Sequence, residues 1–249
     1  NIVIGITIAT FAAQGSYAFV PAYFNRAFDL DYATIGVVSA LSGGVAVGIG
    51  LAAGGWITDA LGRRSARWYA LVPALGLLIA TPLYVLAFLQ ARWQASGVLL
   101  ALAAFSYYLS FGPTFGVVQN VMDPHRRATA TAVIYVLLTV IGLGCGPPFT
   151  GWLIDRFAEF NFGHPGSGTV VDSFRAMRAA PAAGGTSFRS SCAYAGGLLA
   201  PTVKAGCSAA LALASRQGLI VTVLLYAWAG LHYVVGARGL AGRLRIDRP

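Results

Sequence analysis

Two long apolar runs are joined by a short polar stretch, Gly54-Gly55-Trp56-Ile57-Thr58-Asp59-Ala60-Leu61-Gly62-Arg63-Arg64. Glycine at position 55 lets another helix approach closely, and glycine at position 62 permits a tight turn. Arg63 and Arg64 suit a turn beside anionic headgroups. Asp59 needs a cation or a helix N-terminus nearby, because the dipole at a helix C-terminus disfavours an anion. The stretch therefore predicts a loop between two membrane-spanning helices.

The composition of the whole chain agrees with a membrane protein. Of its 249 residues, 57% are hydrophobic and 10% are charged, whereas soluble domains carry about 25% charged residues. So few charges exclude a typical cytosolic enzyme, a disordered chain and a secreted disulfide scaffold. The net charge of +9 comes from basic residues placed singly or in short groups between apolar runs, so nucleic acid is not expected as a partner.

The apolar stretches predict six transmembrane helices, because they are too long and too weakly alternating for the strands of a barrel. The predicted spans are 2–23, 35–58, 68–89, 97–121, 128–154 and 218–235. Residues 1–156 then hold spans one to five, residues 157–217 form a long non-cytoplasmic loop rich in Gly, Ser, Ala and Pro, and residues 218–249 hold the sixth span and a basic tail. The segment 194–214 is apolar enough for a helix on the membrane surface, and the sequence leaves open whether it is helix or loop.

The basic residues of the short loops predict the orientation. Most of them follow spans two and four or lie in the C-terminal tail: Arg63, Arg64, Arg67, Arg126, Arg127, Arg238, Arg243, Arg245 and Arg248. The opposite short loops hold only Arg26 and Arg92. By the positive-inside rule, both chain ends are expected in the cytoplasm, with the protein in a bacterial inner membrane.

A second segment repeats part of the opening stretch. Gly151-Trp152-Leu153-Ile154-Asp155 parallels Gly55-Trp56-Ile57-Thr58-Asp59. The first lies at the predicted outer end of span five and the second at the inner end of span two. Equivalent helices at opposite faces are what an inverted three-plus-three repeat predicts.

The loop resembles the signature of the major facilitator superfamily, Gly-x-x-x-Asp-(Arg/Lys)-x-Gly-(Arg/Lys)-(Arg/Lys). The matching positions are Gly55, Asp59, Gly62, Arg63 and Arg64. Ala60 departs from the signature, so a gate pairing that needs a cation there is not carried over. The wider pattern is similar to the C-terminal half of Spinster-type members over 16–21, 123–130 and 144–148. The resemblance implies an all-α polytopic membrane protein whose six transmembrane helices form an inverted 3+3 repeat. Such a chain would be half of a 12-helix major facilitator fold, with its N-terminal six-helix half missing.

The resemblance also implies that spans one and four line a central cavity. The candidate substrate residues are Gln14, Tyr17, Ser106, Tyr107, Ser110, Thr114 and, from span five, Tyr135. The row Ser106–Ser110–Thr114 is favoured, because its four-residue spacing makes a polar stripe. The alternative for each residue is a hydrogen bond between helices.

The implied function is secondary active transport of a small amphiphilic solute by alternating access, with lysolipid or sphingoid-type cargo. The Asp59 loop would help to hold the inward gate. No charged residue lies in the middle of a span, so a coupling carboxylate is expected in the missing half. Multidrug or organic-anion efflux by the same fold and a membrane binding or structural protein that transports nothing remain alternatives. An intramembrane serine protease built on Ser42 and His232 is disfavoured, because the preceding glycine and an oxyanion arrangement are absent.

The remaining expectations concern partners, hinges and cysteines. Membrane lipids and a small-molecule or lipid substrate are the expected partners. No cofactor is expected, and no metal, because the His and Cys residues lack ligand spacing. Gly142, Gly146 and Pro147 in span five serve helix packing or form a hinge. Cys192 and Cys207 lie in the non-cytoplasmic loop and can form a disulfide.

Overall fold

The computed structural model describes residues 1–163, 188, 191, 192 and 201–240, and all regular structure within them is helical. Two π-helical segments, Leu41–Val45 and Leu138–Leu143, and a 3-10 turn, Pro124–Arg126, interrupt or precede the α-helices. The α-helices are α1 (Ile2–Tyr17), α2 (Val20–Phe28), α3 (Tyr32–Ala40), α4 (Ala46–Gly62), α5 (Trp68–Phe88), α6 (Trp93–Tyr108), α7 (Phe111–Val121), α8 (Arg127–Leu137), α9 (Gly144–Gly163), α10 (Pro201–Val223) and α11 (Leu225–Leu240).

These helices combine into six spans, as the sequence predicts. Five continuous helical stretches are long and apolar enough to cross a membrane, and α1 with α2 makes a sixth that is bent by 40°. Span two joins α3 to α4, span three is α5, span four joins α6 to α7, span five joins α8 to α9, and span six joins α10 to α11. The expectation of an all-α polytopic membrane protein is confirmed.

The spans alternate in direction. The start of α1, the end of α7 and the end of α11 meet around a shared groove lined by Ile2, Val121 and Gly239. At the opposite end, the Arg26 guanidinium at the end of span one donates to the Ser215 hydroxyl near the start of span six, at 3.0 Å. The loop after span two and the loop after span four therefore lie at the same end of the bundle as the start of α1.

The helix contacts reproduce the inverted repeat. A Cβ added at Gly146 in span five would lie 2.6 Å from the carbonyl oxygen of Phe11 in span one. A Cβ added at Gly50 in span two would lie 2.7 Å from the carbonyl oxygen of Phe105 in span four. In an inverted repeat, spans one, two and three correspond to spans four, five and six. The contact of span five with span one is then equivalent to the contact of span two with span four. Glycine at each position lets the two backbones touch.

The two π-helical segments lie at corresponding places in this repeat. Leu41–Val45 precedes Gly55 in span two, and Leu138–Leu143 precedes Gly151 in span five, in each case by about two to three helical turns. One glycine of each segment faces span one, because an added Cβ would meet the Tyr17 side chain from Gly43 and the Thr10 side chain from Gly142. Interrupted helices in matching places are typical of inverted-repeat transporters.

The long loop is shorter than predicted. Helix α9 continues to Gly163 and α10 begins at Pro201, so both predicted boundaries of the 157–217 segment fall inside helices. The part of the 194–214 segment that the structure describes continues directly into the span and packs on α9 through the buried Ala214. It is therefore not a separate surface helix. The central part of the loop and the basic tail beyond residue 240 lie outside the described residues.

Candidate functional site

A cavity of about 220 Å³ lies among spans one, two, three, four and six. Its wall combines three kinds of group: tyrosines, small residues and a few uncharged polar side chains. The polar and aromatic members are Gln14, Ser16, Tyr17, Ser42, Tyr84, Tyr107, Tyr108 and Tyr226. None of the described residues in the wall is charged, so the cavity suits an uncharged or largely apolar ligand.

Three of the predicted substrate residues reach this cavity. Gln14 and Tyr17 line it from α1, and Tyr107 lines it from α6. Tyr17 is half-exposed, whereas Tyr107 is buried, so the cavity extends from the open side of span one into the bundle.

The favoured polar stripe does not line the cavity. Ser106, Ser110 and Thr114 are buried, and each hydroxyl donates to a carbonyl one turn earlier in its own span, at 2.9, 2.7 and 2.6 Å. Thr114 also shares a hydrogen bond with the hydroxyl of Tyr233 in span six. A Cβ at Gly76 of span three would lie 2.5 Å from the Ser106 carbonyl oxygen. The stripe thus faces the other helices of this bundle.

Tyr135 also lies apart from the cavity wall. It is 56% exposed, and its ring stacks on Phe115 with the centroids 5.1 Å apart. Its hydrogen-bonding group is therefore available on an open face of the described chain and not inside the bundle.

Sequence reasoning missed the deep wall of the cavity. Tyr84 of span three and Tyr226 of span six stack with ring centroids 5.2 Å apart and planes at 9°. Tyr226 also packs on Tyr107, with the centroids 5.2 Å apart, and Tyr107 packs edge-on to Tyr108 at 4.7 Å. The signal in the sequence was a tyrosine well inside each of two strongly apolar spans, a position where a phenolic hydroxyl needs a partner.

The signature loop is held by a contact that its sequence does not reveal. The hydroxyl of Tyr69, at the start of α5, donates to Asp59 Oδ1 at 3.1 Å. Gly62 is the last residue of α4, and a Cβ there would lie 2.5 Å from the Tyr69 ring. Gly62 lies directly before the turn at 63–64, and glycine there also admits the ring. Arg63 and Arg64 are exposed beside it.

The close helix approach predicted at Gly55 is made by Gly54 and Gly55 together, and a Cβ added at Gly112 of span four would lie 3.6 Å from the Gly55 nitrogen. A Cβ at Gly54 would lie 2.6 Å from the Leu109 carbonyl oxygen, whereas a Cβ at Gly55 would meet no atom of the described residues within 4 Å. Trp56 beside it is 75% exposed. The Cβ side of Gly55 therefore faces away from the described helices of this chain.

The proposed hinge glycines are packing positions in this conformation. Gly142 lies in the second π-helical segment against Thr10, and Gly146 lies against the backbone of span one. Pro147 is inside α9, which continues through it. A hinge role for these residues stays a prediction.

Cys192 and Cys207 are joined by a disulfide in the structure, with their Cα atoms 5.8 Å apart. Cys207 belongs to α10. The bond ties this helix to a residue of the long loop at the end of the bundle where span six begins.

The candidate protease residues have other neighbours. Ser42 donates to the Val38 carbonyl at 2.8 Å, and the His232 ring packs beside Trp228 with the centroids 5.9 Å apart. Nothing in these contacts activates a serine.

No family model matches the sequence. An MFS-type efflux pump of Mycolicibacterium smegmatis is 27% identical over 158 residues, covering 64% of this chain and 37% of that protein. A hexuronate transporter of Bacillus subtilis is 29% identical over 118 residues, covering 45% of this chain and 28% of that protein. This chain thus matches well under half the length of either curated relative.

Two solved structures have the same fold. Both are of a bacterial homologue of the human lysosomal transporter Spinster in inward-facing conformations. The unoccupied form has a TM-score of 0.76 at 23% identity, and the occupied form has 0.74 at 21%. Each covers 99% of this chain, which covers 49% and 50% of those chains respectively.

The fold therefore defines the class: an integral membrane protein with the architecture of one half of a major facilitator transporter. Within that class, the fold is similar to that of the bacterial Spinster homologue, as the resemblance in the sequence implies.

Proposed function

We propose that this chain is the C-terminal bundle of a secondary transporter that moves a small amphiphilic solute across the membrane by alternating access. The observation that carries the proposal is the uncharged, tyrosine-lined cavity inside a half-transporter fold. A cavity walled by the first and fourth spans of the bundle is in the right place to form one side of a substrate path.

The open faces of the bundle support a two-bundle mechanism. Of the five continuous spans, span five is the least buried within the described chain, followed by span two. Added Cβ atoms at Gly44, Gly48 and Gly55 of span two would meet no atom of the described part of the chain within 4 Å. Small residues on an open helix face allow close contact with another helix, and we infer that a second six-helix bundle packs there and rocks against this one.

The orientation follows from charge. Arg63, Arg64, Arg126 and Arg127 are exposed at the end of the bundle where α1 starts. We infer that this end faces the cytoplasm of a bacterial inner membrane. The disulfide end then lies on the non-cytoplasmic side, where disulfides persist.

The substrate proposal is limited by the cavity's chemistry. A hexuronate carries a carboxylate, which calls for Arg or Lys, and the described residues that line the cavity include no basic one. A lysolipid or sphingoid chain would place its apolar part here and its headgroup against the other bundle. Efflux of aromatic compounds is the second candidate, because stacked tyrosines at 5.2 Å offer flat apolar surfaces and one relative is described as an efflux pump.

The Asp59 loop is the proposed cytoplasmic gate. The Asp59 carboxylate is exposed and accepts one hydrogen bond, from Tyr69. A carboxylate accepts further hydrogen bonds, so it can bind a cation or a helix N-terminus of the second bundle in one conformation and release it in the other.

Proteoliposomes test the proposal. The chain is reconstituted together with the six-helix bundle that completes it, and uptake of a fluorescent lysophospholipid, ethidium and glucuronate is compared under an imposed proton gradient. We expect saturable uptake of the lysophospholipid or ethidium and none of glucuronate. Glucuronate as the preferred solute, or no transport of any probe by a folded complex, would contradict the proposal.

A further inference from the structure

The deep end of the cavity contains a hydroxyl group without a well-aligned partner. Tyr226 is completely buried and lines the cavity, yet its Oη makes no well-aligned hydrogen bond to any of the described residues. The hydroxyl of the stacked Tyr84 lies near enough for a hydrogen-bond contact, but the alignment is too poor to satisfy the Tyr226 hydroxyl. A buried hydroxyl left unsatisfied costs free energy, about 1–3 kcal/mol, so its persistence here calls for an explanation.

A neighbouring tyrosine on the same helix makes the contrast clear. Tyr233 is equally buried, but its hydroxyl is bonded to Thr114, and it does not line the cavity. Of these two buried hydroxyls, that of Tyr226 at the cavity lacks a well-aligned hydrogen bond, and that of Tyr233 away from the cavity is satisfied.

The aromatic rings that line the pocket suit a planar ligand packed against them. The rings of Tyr84 and Tyr226 lie parallel at 5.2 Å, and Tyr107 is tilted against Tyr226 at the same distance. The volume of about 220 Å³ exceeds the ~150 Å³ of an apolar cavity that binds benzene. The space therefore admits one substituted aromatic ring.

We propose that this pocket is a binding site for an uncharged aromatic compound carrying a hydrogen-bond acceptor, and that the Tyr226 hydroxyl donates to that acceptor. The inference rests on the proposed function, since it names the class of solute. The aromatic ring of that solute would lie beyond spans one and four, against Tyr84 of span three and Tyr226 of span six. Gln14 and Tyr17, at the open end of the wall, then contact the substituent that points outward.

The test uses probes that differ in one group. Binding of acetophenone, ethylbenzene and benzoate to the chain in nanodiscs is measured by ligand-observed NMR, with binding to protein-free nanodiscs subtracted. We expect acetophenone to bind about threefold to tenfold more tightly than ethylbenzene, the effect of one neutral hydrogen bond. Benzoate is expected to bind more weakly than acetophenone, because its charge would be buried without a cation.

Two matched variants locate the effect. Tyr226→Phe keeps the ring and removes the unpaired hydroxyl, so the preference for acetophenone over ethylbenzene should disappear. Tyr233→Phe removes a satisfied hydroxyl of the same helix and should keep the preference. Tyr226→Phe should also leave the unfolding temperature unchanged or raise it, whereas Tyr233→Phe should lower it, because only the second variant loses a hydrogen bond.

Several outcomes would overturn the inference: no preference in the parent chain, the same preference in Tyr226→Phe, an equal loss in both variants, or tightest binding of benzoate. Because the assay measures binding alone, absence of transport in proteoliposomes would defeat the proposed function and leave this site standing. If the proteoliposomes transport solute but Tyr226→Phe keeps the preference for acetophenone, the proposed function stands and this binding site is refuted.

Discussion

The contact between spans one and five can be tested with a single methyl group. In Gly146→Ala the new Cβ would lie 2.6 Å from the Phe11 carbonyl oxygen and 3.0 Å from the Gly15 nitrogen. Both neighbours are backbone atoms, which cannot rotate away as a side chain can. An ordinary van der Waals contact begins near 3.4 Å, so the helices must separate by about 0.8 Å.

The destabilisation caused by this overpacking is measured against a matched control. Gly144 lies on the same helix, and a Cβ there would meet only the Thr139 carbonyl oxygen, at 3.7 Å. Both substitutions gain the same helix propensity, which cancels in the difference between them. The remaining overpacking term is about 1–3 kcal/mol. For a chain of this size each kcal/mol shifts Tm by about 2–4 °C, so we expect Gly146→Ala to unfold about 2–12 °C below Gly144→Ala.

The assay is thermal unfolding in detergent micelles, followed by tryptophan fluorescence. The repeat provides a second pair: Gly50→Ala should unfold below Gly48→Ala, because Gly50 makes the equivalent contact with Phe105 and Gly48 faces open space. Equal unfolding temperatures within the Gly146 and Gly144 pair would refute the packing argument. A difference in one pair but not in the other would refute the structural equivalence of spans two and five.

Three further predictions follow from the loops. Asp59→Ala should slow proteoliposome transport while leaving substrate binding intact, with Tyr69→Phe as the control that removes only the bond seen here; transport at the parent rate would contradict the gate. Mass spectrometry of the non-reduced protein should find Cys192 and Cys207 linked, and two free thiols would be the contrary result. Asp31 caps α3 through Thr34 and the backbone, and these bonds lower the pKa of its carboxyl. Its capping contribution is therefore present above an ordinary carboxyl pKa of about 4 and is lost as pH falls through the lowered pKa. The Tm gap between the parent chain and Asp31→Ala should accordingly close at low pH, and a gap that widens there would be inconsistent with the cap.

The sequence was sufficient to predict the spans but not the faces they present. Apolar length identified six crossings, and the Gly-Trp pair shared by spans two and five indicated the repeat. The polar stripe of span four was assigned to the cavity because hydroxyls recur every four residues. The same spacing places each hydroxyl over a carbonyl of its own helix, and Ser110 and Thr114 bond there.

The signature loop shows the same limit on a smaller scale. Glycine at position 62 could be predicted to have a structural role, but the reason depends on the Tyr69 ring, which belongs to the next helix. Likewise, Gly54 and Gly55 both lie beside span four, but only at Gly54 would an added Cβ point into it. That difference depends on a rotation of about 100° per residue, which no local pattern fixes in a helix apolar on all sides.

By itself, the sequence predicted a membrane protein of six helices, its short loops and the relation between its two triplets of helices, because these follow from apolar length and local residue type. Only the tertiary structure decided which side chains share a space. The hydrophobic effect hardly distinguishes the faces of an all-apolar helix, so close packing at glycines such as Gly50 and Gly146 sets the rotation of each span. That rotation brings Tyr84, Tyr107 and Tyr226 from three separate spans into one pocket.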